Sequence, residues 1–133
     1  MVNHLVLYAA CAAIFFPLDF LWLSVMGQRL YRPELGSLLA DSPNFFIAGA
    51  FYLVYLAGLV VLVAAPAGGD IGKAFLLGAV LGFVAYGTYD LTNLSTLQGF
   101  TPTIAVVDLA WGTALTAVSS AGGVWLVRQF GLS

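Results

Sequence analysis

From Phe45 to Ala65 the chain runs without a single charged residue, and that stretch constrains the fold more than any other. About 20 apolar residues carry a helix across the hydrocarbon core of a bilayer. The run from Leu5 to Met26 is as apolar, with Asp19 as its only charge. A third run, from Ala74 to Val107, is too long for one span, and Gln98-Gly99-Phe100-Thr101-Pro102 reads as a tight turn that divides it. Its first part holds Asp90, and the helix after the turn holds Asp108. Spans are therefore predicted at 5–26, 45–65, 73–97 and 101–127, in one transmembrane domain over 1–133. The fold class is all-α, a polytopic four-transmembrane-helix bundle. Composition agrees: 62% of the 133 residues are hydrophobic and 8% charged, whereas a soluble domain carries about 25% charged residues to keep its surface wet.

Several classes of function fall away at this point. The basic residues Arg29, Arg32, Lys73 and Arg128 are scattered, so no nucleic-acid patch and no polybasic lipid-binding cluster exists. Cys11 stands in an apolar run and reads as a small buried hydrophobe. The first apolar run lacks a basic leader and is too long for the core of a signal peptide, so it is expected to be a retained membrane helix.

Four spans place both termini on one side, here side A. Side B then holds the turn near Gly99 and the connection from Gly27 to Asn44. That connection mixes Leu30, Tyr31, Leu35, Leu38 and Leu39 with Arg29, Arg32 and Glu34. The mixture suits a short helix lying in the interface between helices one and two, with a plain surface loop as the alternative. Side B carries Arg29 and Arg32, and side A carries Lys73 and Arg128, so the Lys/Arg bias does not set the orientation. Gly78, Gly82, Tyr86 and Asp90 recur at intervals of four on one face of helix three. Gly112, Ser119 and Gly122 do roughly the same on helix four. Small residues of this kind let membrane helices approach closely.

The acids carry the functional question. Asp19 lies seven residues before Met26, Asp90 seven before Leu97 and Asp108 seven after Thr101. If those positions are helix ends on side B, each acid sits about 10 Å inside that boundary, and Tyr52 of helix two reaches the same layer. The pattern D-x-x-W occurs twice, at Asp19/Trp22 and Asp108/Trp111, on helices of opposite direction. Residues three apart share a helix face. Asp90 lies in Tyr86-Gly87-Thr88-Tyr89-Asp90-Leu91-Thr92-Asn93, the most polar stretch of any span, with Tyr86, Asp90 and Asn93 on one face. Pro17 frees a backbone carbonyl and bends helix one beside Asp19. An ionised Asp at the bilayer centre costs ~2.5–3.5 kcal/mol, and no basic residue shares the layer. The acids must therefore point inward and be protonated, bind a cation or face water. The plainer alternative is that they merely hydrogen-bond across helices, at ~0.6 kcal/mol for each bond.

Four segments resemble a known family: Leu18-Asp19-Phe20-Leu21-Trp22-Leu23, Phe51-Tyr52-Leu53-Val54-Tyr55, Ala85 to Asn93, and Val107-Asp108-Leu109-Ala110-Trp111-Gly112. They occur in order over nearly the whole chain. The family is domain of unknown function 2177, small bacterial membrane proteins. The resemblance implies four membrane helices and a multi-pass position in the bacterial inner membrane. It implies no activity.

The residues themselves narrow the chemistry. With one His, His4, neither bis-His haem nor a His-ligated iron site can form, and no P-loop, G-x-S-x-G elbow or zinc set occurs. No cofactor is expected. Oxygen ligands suit hard cations or a proton. The candidate binding residues are Asp19, Trp22, Tyr52, Tyr86, Asp90, Asn93, Asp108 and Trp111. Three readings fit them: a small proton- or cation-linked transporter, a membrane-embedded enzyme using two acids on a lipid or isoprenoid, and an accessory subunit of a membrane complex. Membrane lipid is the expected surrounding and a homodimer the expected assembly, with a small cation or an apolar molecule as ligand.

Overall fold

The computed structural model describes residues 4–39 and 44–131. Every regular element among them is helical, and four helices are long and apolar enough to cross a membrane. They are α1 His4–Leu38, α2 Phe45–Ala64, α3 Ile71–Thr96 and α4 Pro102–Gln129. Only helices can span lipid in an open chain, because hydrocarbon offers no partner for a free N–H or C=O.

Their ends are set by local chemistry. Asn44 accepts a hydrogen bond from the Ile47 backbone N–H at 3.1 Å, Asp70 from that of Lys73 at 3.0 Å, and Thr101 from that of Ile104 at 3.2 Å. Each is the residue preceding a helix, where a side-chain oxygen satisfies an otherwise orphaned backbone donor. Pro102 follows its cap at the first helical position, where the missing N–H costs nothing. The turns use Gly68 and Gly69, with φ of 61° and 86°, and Gly99, with φ of 88°, values that L side chains adopt with strain.

α1 is the exception to the predicted bounds. It does not stop at Met26. A π-helical turn over Gly27–Tyr31 carries it into a short α segment, Arg32–Leu35, and a closing 3-10 turn, Gly36–Leu38. The segment predicted as an interfacial helix or a loop is thus helical and continuous with the first span. Its Leu30, Tyr31 and Leu35 pack on Phe100, Ile104 and Ala105 at the start of α4. Thr101 donates to Glu34 at 2.9 Å. Residues 40–43 of the connection lie outside the described residues.

α4 is the hub. Its longest interface is with α3, the next with α1. Both are close because glycine removes the side chain between them. A Cβ on Gly78 would lie 2.8 Å from the Thr116 carbonyl oxygen, and one on Gly82 2.5 Å from that of Gly112. On the other face of α4, a Cβ on Gly123 would overlap Cys11, and one on Gly122 would overlap Ile14. Lipid tails are as apolar as leucine, so such packing, rather than escape from water, holds membrane helices together. The main core joins Leu7, Cys11 and Phe15 of α1 to Leu56, Leu59 and Val60 of α2 and Leu115, Val124 and Val127 of α4. It occupies the half nearer side A. Arg128 donates to the Gly69 carbonyl at 3.1 Å and ties the α2–α3 turn to the end of α4.

α2 is held mainly at its C-terminal half, by Leu56, Leu59, Val60, Val63 and Ala64. Towards side B it stands away from α3, and Phe45, Phe46 and Ile47 are exposed to the surroundings. Tyr8 makes one further tie, donating to the Leu53 carbonyl at 2.9 Å.

Candidate functional site

Close glycine contacts fix the helix registers, and the registers place the acids. Cys11 lies against Gly123, so in the antiparallel α1–α4 pair Asp19 is level with residue 115 and Asp108 with residue 26. Asp19 and Asp108 are therefore staggered by seven residues, about 10 Å along the helix axis. In the α3–α4 pair Gly78 lies against Ala117 and Gly82 against Thr113. Asp90 is then level with residue 105, about 4–5 Å nearer side B than Asp108. The single layer predicted from the helix ends is instead a stair, with Asp90 outermost, Asp108 next and Asp19 deepest. The π-turn explains the difference. Because α1 runs on past Met26, counting back from that residue set Asp19 too close to side B.

Two tryptophans bridge the steps. Trp22 of α1 and Trp111 of α4 stack with ring centres 4.4 Å apart and planes 4° from parallel. Their N–H groups both donate to side chains of α1. Trp111 donates to Asp19 at 3.1 Å. Trp22 donates at 3.0 Å to the Tyr31 hydroxyl, which in turn donates to Asp108 at 2.6 Å. The two D-x-x-W patterns are therefore crossed: each tryptophan supports the acid of the other helix. Such a bond to a carboxylate oxygen is short because the acceptor carries charge or high electron density.

Asp90 differs from the other two. Its side chain is fully buried, 0% exposed, and neither carboxyl oxygen has a hydrogen-bond partner among the described residues. Its carboxyl instead faces that of Asp108, and two carboxyl groups bond to each other only through a proton on one of them. Every basic residue with a described side chain, His4, Arg29, Arg32, Lys73 and Arg128, is exposed. An unpaired buried charge is costly, and none of these basic side chains is placed to offset one at Asp90.

Tyrosines complete the site. Tyr52 neighbours Asp19. Tyr86 occupies the notch left by the absent side chain of Gly112, and its ring meets that of Tyr55 edge-on at 6.1 Å. Tyr55 and Thr116 share a hydrogen bond at 2.8 Å. A cleft of about 410 Å³ lies between α2 and α3, lined by Phe51, Tyr52, Tyr55, Tyr86 and Tyr89, with Asp108 as its charged residue. It opens outward past the exposed Phe51 and Tyr89. Asn93 sits towards the end of α3, with Tyr89 as its neighbour. Among the described residues no three of His, Cys, Asp and Glu form a group able to hold a metal ion, and the stair is the reason the three acids share no common cage.

Tyr31 was not among the candidate residues, although it links Trp22 to Asp108. It lies nine residues past Trp22, which is about two and a half turns of α-helix and therefore the opposite face. The wider π-turn at Gly27–Tyr31 brings it round. Tyr55 and Thr116 escaped for a simpler reason, since nothing in either local sequence separates them from ordinary core positions.

Comparison with curated proteins and with solved structures finds no match. The family described as predicted membrane protein (DUF2177) matches residues 4–125. This is the family that the four segments around Asp19, Tyr52, Asp90 and Asp108 resemble, and the chain belongs to it as an integral, multi-pass membrane protein.

Proposed function

We propose that the chain is a small cation-linked transporter whose cation, a proton or a larger cation, binds at Asp90 and Asp108. The observation that carries this reading is the Asp90 carboxyl, fully buried and without a hydrogen-bond partner beside a second acid. Acids within membrane spans mark proton relays and ion paths. Asp19 and Asp108 each accept a bond from an aromatic side chain of another helix, whereas Asp90 receives none from any described N–H or hydroxyl and faces only the Asp108 carboxyl. Asp19, one step deeper and bonded to Trp111, is the inner acid of the path. The tryptophan stack separates it from the outer pair, because an indole N–H donates but cannot accept and relay a proton. Four helices seldom enclose a pathway alone, so a homodimer belongs to this reading, as does a place in the bacterial inner membrane.

A second reading has its own support. The cleft between α2 and α3 brings an apolar wall to an acid, which also suits an enzyme acting on a lipid or isoprenoid with one acid as donor and one as base.

Flux into proteoliposomes tests the first reading. Protein reconstituted with a pH-sensitive dye inside and a panel of cations outside should move at least one of them. Asp90→Asn and Asp108→Asn should abolish that movement. If both variants carry every flux at the wild-type rate, the transporter reading is wrong. Turnover of an added isoprenoid or lipid without ion movement would favour the enzyme.

A further inference from the structure

The transporter reading leaves the cargo open, and the cleft between α2 and α3 narrows it. We infer that this cleft is a lateral entrance and binding site for a single-chain lipophilic organic cation, with Asp108 receiving its head group. The inference rests on the proposal that the acid pair binds a cation, and it names the chemical class.

Four observations converge. First, the volume of about 410 Å³ falls in the range of about 300–1,000 Å³ typical of small-molecule sites. Second, the walls are aromatic, with Phe51, Tyr52 and Tyr55 on one side and Tyr86 and Tyr89 on the other. A cation over such faces gains from the ring quadrupole, the more so away from water. Third, among the described residues the one charged side chain in the lining is the acid Asp108, and Asp90 faces it with no bond from an N–H or hydroxyl. Fourth, Phe51 and Tyr89, which flank the opening, are exposed and lie within the spans α2 and α3 rather than at their ends, so the cleft opens sideways between two spans.

Charge also decides against the most abundant alternative. A diacyl aminophospholipid presents an ammonium group, but a phosphate follows close behind it. Among the described residues no Lys, Arg or His lines the cleft, and Asp108 does, with Asp90 buried beside it, so nothing there would receive the phosphate. A volume of this size also has no room for two acyl chains. Two of the rings are fixed before any ligand arrives: Tyr86 is seated in the Gly112 notch, and Tyr55 is bonded to Thr116. Pre-set walls reduce the entropy lost on binding.

Equilibrium dialysis of the protein in phosphatidylcholine nanodiscs, with radiolabelled dodecyltrimethylammonium as probe, tests the inference. Saturable binding is expected, displaced by unlabelled dodecyltrimethylammonium but not by dodecanol. Asp108→Asn should weaken binding about tenfold or more, equivalent to the loss of about 1.4 kcal/mol. Asp108→Glu, which keeps the charge, should restore it. Ala85→Trp should fill the cleft and remove binding, with Ala48→Trp on the facing wall as a replacement if the first variant loses its helical circular dichroism. Absence of saturable binding overturns the inference, as does equal displacement by dodecanol or by phosphatidylethanolamine. The flux assay separates the two proposals. If ion movement depends on Asp90 and Asp108 but no organic cation binds, the cleft assignment fails and the transporter reading stands. If neither is seen, both fail.

Discussion

Trp22 and Trp111 lie face to face, 4.4 Å between ring centres, yet their N–H groups reach the acids of the opposite helices by different routes. Trp111 reaches Asp19 directly, while Trp22 reaches Asp108 through the Tyr31 hydroxyl. The arrangement makes the two tryptophans unequal, and that inequality can be measured.

Trp111→Phe keeps an aromatic ring but deprives the buried Asp19 carboxyl, 6% exposed, of a donor. A buried acceptor left short costs about 1–3 kcal/mol. Trp22→Phe removes a bond to a hydroxyl that still donates to Asp108, and should cost about 1 kcal/mol or less. Unfolding by SDS titration in mixed micelles, followed by circular dichroism, should rank Trp111→Phe as the more damaging of the pair. The reverse order would mean that the crossed bonding pattern is not the one present in the membrane.

Asp90→Asn should leave stability unchanged or raised, because no bond from an N–H or hydroxyl is lost, one of two neighbouring acids is removed, and the new amide can donate to Asp108. Flux should fall at least about tenfold, about 1.4 kcal/mol in barrier terms. A residue whose removal stabilises the fold while abolishing activity is retained for function. A drop in stability with unaltered flux would make Asp90 part of the adhesive between helices.

Tyr31→Phe and Asp108→Asn remove two ends of one 2.6 Å bond. Hydrogen bonds to charged groups contribute about 1.5–3 kcal/mol, so each single variant should be destabilised on that scale. The double variant should fall short of the sum by about 0.5–3 kcal/mol, the range seen for residues in contact. Strict additivity in the SDS titration would show that the hydroxyl and the carboxyl do not meet.

Gly82→Ala should disrupt the α3–α4 interface, since the new methyl would press on the Gly112 carbonyl and the Thr113 backbone, and backbone cannot move aside as a side chain does. Overpacking of this kind costs about 1–3 kcal/mol. Gly58→Ala on α2, where nothing lies within 4 Å, should be neutral or gain up to about 1 kcal/mol from helix propensity. Comparing the two by thermal aggregation in detergent separates packing from propensity. Equal behaviour would place the α3–α4 contact elsewhere.

Much of this molecule was readable before any coordinates. Charge-free length gave the spans, because hydrocarbon admits nothing else. The interval of four at Gly78, Gly82 and Tyr86 marked the face of α3 that meets α4, because a helix places such residues in one row. The acids were found as well, since an Asp in an apolar run is conspicuous wherever it falls. Their mutual arrangement was not. Depth was counted from Met26, and Met26 is not an end. A π-turn has no sequence mark as plain as a proline or a glycine pair, yet it extends α1, shifts the phase that brings Tyr31 to Asp108 and turns one layer into a stair.

The sequence by itself determined that this chain lives in a membrane, how many times it crosses and which side chains are too polar to face lipid, because those follow from the cost of exposing charge and backbone to hydrocarbon. Only the tertiary structure decided which acid lacks a partner, that the tryptophans cross over, and that α2 opens a cleft beside Asp108. These depend on register and approach between helices far apart in the chain, and a one-dimensional pattern of apolar residues is the same for many registers.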